Sequence, residues 1–261
     1  MNSIDALILA GSRGPSDPVA ALGGVAHKAL TPIAGRPMLS YVLDAVHAVP
    51  EVARIYVCID PETDLAAIAA SSPVAFSRIA PAPSPAASLM TALSAIDGTA
   101  PLLVTTADHP LLTPEMIRFF LERAPEAADV SVALASAETV QTAFPEGRRT
   151  FYRLAGRGYS GCNLFLARKP GAIRVAKYWR RVETHRKKPF RMAREIGFRI
   201  LLRYAFNRLD LKTAFRHVSR LTGARIAPVI LPFAEAATDV DKRGDYELVS
   251  RILAARTTAQ G

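Results

Sequence analysis

Cysteine is scarce: two in 261 residues, Cys58 and Cys162. Two thiols cannot build a disulfide framework. Both sit among apolar residues, so buried free thiols in a reducing, cytoplasmic setting are expected. Long apolar runs are also missing. No stretch of roughly 18 or more uncharged apolar residues occurs, so no membrane-spanning helix is expected. The N-terminal MNSIDALILAGSRG lacks the basic flank of a signal peptide and carries Asp5 just before its apolar run, so it reads as a first strand. Neither GxxxxGK(S/T) nor GxGxxG is present, which excludes a P-loop and a dinucleotide fingerprint. No internal repeat is visible, and no Ser/His/Asp or Cys/His set points to nucleophilic catalysis. Disorder is excluded by composition: half the residues are apolar and only 21% are charged.

What is present is length enough for one large core. Strand-like and helix-like segments alternate. Apolar runs at Ala6–Ala10, Arg54–Ile59, Val74–Ala80, Pro101–Thr106, Asp129–Ala135 and Ala224–Pro232 read as strands. Periodic stretches at Met38–Val49, Asp64–Ala70, Ala87–Ile96, from Pro114 and from Asp245 read as helices. Thr113 is the expected N-cap of the helix that Pro114 opens. Phe151 marks a change of rhythm, with an edge strand at 150–154 and a strand within 159–167. The alternation implies an α/β fold with a mostly parallel sheet flanked by helices. We expect a single domain over 1–261 carrying a basic helical insertion at 168–223, broken by Pro170, Pro189 and Gly223.

Charge is unevenly spread. The chain totals +10, yet residues 168–225 hold 18 Lys and Arg against three acids, a net of +15, which leaves −5 for the rest. Such asymmetry points to an anionic partner. Around Ile196, Ile200, Leu201 and Tyr204, apolar residues alternate with Arg194, Arg199, Arg203 and Arg208. This basic amphipathic pattern suits either an anionic membrane surface, placing the protein at the inner face, or a helical subdomain with a solvated face. No specific nucleic-acid contact is expected.

Two places carry the chemistry. The first strand feeds a Gly- and Pro-rich loop and then a lone lysine, Lys28, so backbone amides and an ammonium can both face oxyanions. Asp108 follows a buried apolar strand at its carboxyl end, where open α/β sheets bind ligands. A carboxylate there can hold a divalent cation that takes its remaining ligands from phosphates. Near the C-terminus, the alternation Asp239-Val240-Asp241 puts both carboxylates on one side of an extended segment, where they repel unless a cation lies between them.

Leu9-Ala10-Gly11-Ser12-Arg13-Gly14, His27-Lys28-Ala29-Leu30 and Gly35-Arg36-Pro37 together resemble the first motif of the MobA-like nucleotidyltransferases, usually LAGGxGxRM, K-x-L and G-x-P. Ser12 replaces the second glycine. TTADHPLLT around Asp108 and TDVDKRGDYELV around Asp241 are similar to that family's two metal-binding motifs, with Lys242-Arg243-Gly244 where T-P-E is common. The resemblance covers 4–135 and 224–250. It implies a Rossmann-like GT-A fold and Mg²⁺-dependent transfer of NMP from an NTP, CTP or GTP favoured, to a phosphorylated acceptor with release of pyrophosphate. It further implies triphosphate binding by Leu9, Ala10, Gly11, Ser12, Arg13, Gly14 and Lys28, and catalysis by Lys28, Arg13 and Asp108. Asp108 with Asp239 or Asp241 would bind the metal. Ser88, in ASLMTAL, would contact the base, and Asn163, in GYSGCNLFLA, would line the acceptor pocket. The acceptor could be a sugar, polyol or cofactor phosphate or a lipid-headgroup precursor. Rival readings are a sugar-nucleotide glycosyltransferase, whose D-x-D would follow a central strand, and a non-catalytic protein binding anionic membrane or nucleic acid.

Overall fold

A computed structural model of the chain describes residues 3–12, 16–146, 149–168, 170–185 and 189–258. The first strand, β1 (Ile4–Leu9), is buried from Ile4 to Ile8. A strand covered on both faces belongs in the middle of a sheet, and such strands read as unbroken apolar runs. Asp17 then caps α1 (Pro18–Leu22) by accepting from the Val19 and Ala20 amides. A short turn of 3-10 helix, Lys28–Leu30, leads into the two-residue strands β2 (Pro32–Ile33) and β3 (Arg36–Pro37). Their turn needs Ala34 and Gly35 at φ of 46° and 82°, a region glycine enters freely.

The helix α2 (Met38–His47) buries Leu39, Val42, Leu43 and Val46 at helical spacing. After it come β4 (Val52–Cys58), α3 (Ala66–Ser71), β5 (Ser77–Ile79), α4 (Pro85–Ala95) and β6 (Leu102–Thr106). The strand expected over Val74–Ala80 is thus only its last residues. Ser84 caps α4, accepting from the Ala87 amide. Thr113 caps α5 (Pro114–Arg123) with Pro114 in its first turn, as its sequence requires. Then follow β7 (Val130–Ser136) and α6 (Ala137–Ala143), the latter capped by Ser136 and not foreseen from periodicity.

The remaining elements are β8 (Tyr152–Leu154), β9 (Arg157–Ala167), α7 (Gly171–His185), α8 (Pro189–Ile196), α9 (Phe198–Ala205), α10 (Leu211–Thr222), β10 (Ile226–Leu231) and α11 (Arg243–Thr258). The basic stretch breaks at its prolines and at Gly223, and also at Gly197, whose φ is 94°.

The sheet order is β10-β7-β9-β6-β1-β4-β5, with β8 hydrogen-bonded to β9. Every pairing along that order is parallel except those of β9, which lies antiparallel between β6 and β7. The result is the mostly parallel, helix-flanked α/β sheet that the alternation implies. Successive β1 residues serve opposite cores. Ala6 and Ile8 pack with Leu39, Leu43, Ile117 and Phe120 of α2 and α5. Leu7 packs with Leu93, Ala172 and Ala176 of α4 and α7. This layering fixes β1 and β6, so the loops leaving their carboxyl ends start from a rigid base.

Candidate active site

At the carboxyl ends of β1, β4 and β6 the chain leaves a cleft of about 1820 Å³. Lys28 stands in its wall. The turn at Lys28–Leu30 holds the lysine backbone, with the Lys28 amide donating to Ser12 Oγ at 3.2 Å. His27 Nδ1 accepts from the Ala29 amide at 3.2 Å. The Lys28 side chain is 9% exposed, and its Nζ donates to Asp108 Oδ2 at 2.7 Å and to Asp241 Oδ1 at 2.8 Å. These partners lie 80 and 213 residues away along the chain. Burial by itself would lower the Lys28 pKa. Asp108 and Asp241 together outweigh it, and the ammonium is held above its ordinary value.

Asp108 sits just past β6, joined to the second acidic segment through the backbone: the Val240 amide donates to the Asp108 carbonyl at 2.9 Å. Its Oδ2 takes the lysine, while its Oδ1 is buried with no hydrogen-bond partner among the described residues. Asp241 is the open member, its side chain 63% exposed.

The two acids of the Asp239-Val240-Asp241 segment do not share one cation. Asp241 takes Lys28. Asp239 takes Arg149, whose Nη1 donates to Asp239 Oδ1 at 2.5 Å and whose Nη2 donates to the Asp239 carbonyl at 3.2 Å. Asn163, at φ 47° beside a bulge in the β7–β9 pairing, donates from Nδ2 to Asp239 Oδ2 at 3.4 Å. Burial raises the Asp239 pKa, and the negative charges of Asp108 and Asp241 add to it; Arg149 pulls the other way. Asp245 lies in the first turn of α11, where Oδ2 accepts from the Asp241 amide at 3.2 Å and Oδ1 lies 3.5 Å from Arg149. It therefore fastens the acidic segment from inside the helix. Arg149 lies in the connection between α6 and β8, where no motif marks it. Its only signal is the repulsion that two like charges at 239 and 241 must relieve.

Among the other residues singled out, Leu9, Ala10, Gly11 and Ser12 line the cleft, as do Ser88 and Asn163. Arg13 and Gly14 lie outside the described residues. A Cβ added at Gly11 would meet no atom within 4 Å, so the backbone there is open to a ligand. Ser88 is buried, accepting from the Ala82 amide at 2.9 Å and donating to the Ala82 carbonyl at 3.2 Å. It secures the proline-rich loop at the cleft edge. His109 is buried behind Asp108. Among the described residues neither ring nitrogen completes a hydrogen bond, although the Glu235 backbone is near the ring, and burial brings its pKa down to about 4.

Among the described residues no set of three or more His, Cys, Asp or Glu side chains converges as a ready-made metal site. Mg²⁺ does not require one, since one or two carboxylates plus substrate phosphates suffice. The orphaned Asp108 Oδ1 and the acids of the 239–241 segment fit that description.

The MobA-like NTP transferase domain matches residues 6–173. The chain belongs to this family. It is therefore a nucleotidyltransferase, built on the GT-A-like fold its relatives share. Among solved structures, a hypothetical transferase from Thermus thermophilus is 30% identical with a TM-score of 0.80, covering 94% of this chain and 99% of that one. The 4-diphosphocytidyl-2C-methyl-D-erythritol synthase from Anaerococcus prevotii is 12% identical with a TM-score of 0.61, covering 97% and 96%. A CMP:2-keto-3-deoxy-manno-octonic acid synthetase complexed with CTP is 15% identical with a TM-score of 0.56, covering 98% and 100%. No curated protein matches. At such low identity the last two structures speak for the fold alone, and the match to 6–173 ends inside α7, before most of the basic segment.

Proposed function

We propose that this nucleotidyltransferase moves NMP from an NTP, with CTP favoured over GTP, to a phosphorylated acceptor and releases pyrophosphate. The observation that carries the reading is one buried ammonium, Lys28, reaching two carboxylates from distant parts of the chain in the wall of a cleft with room for a nucleotide and a second substrate. CTP is placed first as the nucleotide to test, because two proteins of the same fold are by name a diphosphocytidyl synthase and a synthetase complexed with CTP.

In this reading the backbone around Gly11, where a ligand can approach closely, cradles the triphosphate with Ser12, Arg13 and Gly14, while Leu9 and Ala10 line the cleft beside it. An oxygen of the acceptor phosphate attacks the α-phosphorus in line, and the bond to the bridging oxygen of pyrophosphate breaks. Such a transfer needs positioning and charge neutralisation more than covalent help. Lys28 and Arg13 supply positive charge to the phosphate oxygens. Asp108 with Asp241 or Asp239 would hold Mg²⁺, which neutralises phosphate charge when bound. Lys28 keeps the two acids together, so the site is assembled before substrate arrives. Ser88 positions the loop beside the base, and Asn163 faces the acceptor, a sugar or polyol phosphate or a lipid-headgroup precursor. The whole of 1–261 acts as one catalytic domain, with 168–223 as an insertion.

Pyrophosphate release from CTP, GTP, ATP and UTP, with Mg²⁺ and a panel of sugar and polyol phosphates, tests this. Release with one NTP that depends on both acceptor and metal is expected. Release of UDP or another nucleoside diphosphate from a sugar nucleotide, with none of pyrophosphate, would overturn it in favour of a glycosyltransferase.

A further inference from the structure

The helix α9 presents a problem of economy. It has no buried residue at all, although four of its residues are Phe198, Ile200, Leu201 and Leu202. Phe198 is 68% exposed, Leu202 40% and Phe206, just past the helix, 71%. At 100° per residue these three fall on one face, with Arg199 and Arg203 along its flank. Isolated helices of this length are marginal in water, and packing of an apolar face normally supplies their stability. Here that face stays largely in solvent, with no residue of the helix fully buried.

The segment is nonetheless held in a defined conformation. His217 Nε2 lies 2.6 Å from the Ile196 carbonyl at the break between α8 and α9. Arg203 donates through Nε and Nη2 to the Arg208 carbonyl at 3.4 and 3.3 Å. Asn207 Oδ1 accepts from the Gly156 amide at 2.9 Å, tying the end of α9 to the β8–β9 turn. The face is therefore fixed and offered to solvent, not left over from poor packing.

We propose that α9 docks this protein on the surface of an anionic lipid bilayer, with Phe198, Leu202 and Phe206 entering the headgroup–acyl boundary and Arg199, Arg203 and Arg208 meeting lipid phosphates. Charge decides between occupants. A second copy of the chain would bring together two segments that each carry +15. Anionic headgroups complement that charge, and an in-plane amphipathic helix with Arg on its polar edge is the shape that lies at such a boundary. No helix among the described residues is long and apolar enough to cross a membrane, so the attachment is peripheral. α9 follows α7 and α8, and α7 supplies Trp179 and Val175 to the wall of the cleft.

The test is co-sedimentation of the full chain with vesicles of phosphatidylcholine alone, and with vesicles in which about a third of the lipid is phosphatidylglycerol. Binding to the anionic vesicles only, weakening as salt rises, is expected. The Phe198→Ser/Leu202→Ser/Phe206→Ser variant should bind at least about 100-fold more weakly. Each of Arg199→Gln and Arg203→Gln should cost about fivefold. Melting temperature and nucleotide affinity should stay at wild-type values in all of them, which separates failure here from failure of the catalytic reading. Undiminished vesicle binding by the triple Ser variant would overturn the proposal, leaving only a charged patch. So would equal retention by phosphatidylcholine alone, binding to duplex DNA at or above the affinity for anionic vesicles, or a dimer in gel filtration that the triple variant dissolves.

Discussion

Replacing Lys28 by Met removes the ammonium while keeping most of the aliphatic volume. Two consequences follow from the geometry. The first is on stability. Asp108 and Asp241 lose their shared partner at 2.7 and 2.8 Å, and Asp239 already feels their charges. Breaking a fully buried ion pair costs about 3–5 kcal/mol. Asp241 is largely exposed here and Asp108 partly so, so water screens the orphaned acids and ~2 kcal/mol is expected. In a chain of this size that lowers Tm by about 4–8 °C. Millimolar Mg²⁺ should return part of that loss, since the freed carboxylates can then take a cation. The second consequence is on rate. Withdrawing one preorganised positive group from a developing phosphate charge lowers kcat by about 100- to 1000-fold. Thermal melting with and without Mg²⁺, paired with pyrophosphate release, reads both. A Lys28→Met protein that keeps turnover within about threefold of wild type would refute the placing of Lys28 at the triphosphate.

Other outcomes follow from single contacts. Arg149→Met should destabilise by about 2 kcal/mol, because Asp239 is left half-buried beside two other acids, and Arg149→Met/Asp239→Asn should recover most of it. Urea melts of the two variants compare them; equal stability of both would remove the pairing from the account. Ser88→Ala frees the proline-rich loop from Ala82 at ~1 kcal/mol per lost hydrogen bond. The KM for NTP should rise several-fold with kcat unchanged, and steady-state kinetics decides it. His109 is held near 4, against an ordinary 6.5. Its folded-state value is depressed, so the unfolded chain binds the proton more readily. Stability is then full above pH 6.5 and falls with pH down to about 4, a loss of ~3 kcal/mol. Urea unfolding at pH 7 and pH 5 should show that slope in the wild type and a flatter one in His109→Gln; identical slopes would contradict it.

The parts of the fold that sequence reveals are those whose local rule has no competitor. The run Ala6–Ala10 can only be a covered strand, Thr113-Pro114 can only start a helix, and Pro189 and Gly223 must interrupt one. Asp108 could be singled out because it stands where an apolar strand ends, and Lys28 because it is the lone lysine after the Gly- and Pro-rich loop. What escaped depends on contacts between distant segments. Strand β9 reads like any other apolar run, and nothing local says that it enters antiparallel between β6 and β7. The alternation at 239–241 marks two neighbouring acids, but the cations that separate them come from residues 28 and 149. Only the first of those lies in a recognisable motif. Ser88 sits beside a helix start, yet its hydroxyl closes on Ala82, and the cap is Ser84. The tilt of charge towards 168–225 was plain, while the detail that matters, a helix with no buried side chain, required the packing of its neighbours.

A crystal structure of the protein with Mg²⁺ and a non-hydrolysable CTP analogue measures the central claim most directly. The account predicts the triphosphate over Leu9 to Ser12, with Lys28 Nζ in contact with phosphate oxygens and Asp108 and Asp241 or Asp239 turned to the metal. A nucleotide bound elsewhere, with the Lys28–Asp108–Asp241 cluster unchanged and dry of phosphate, would contradict it.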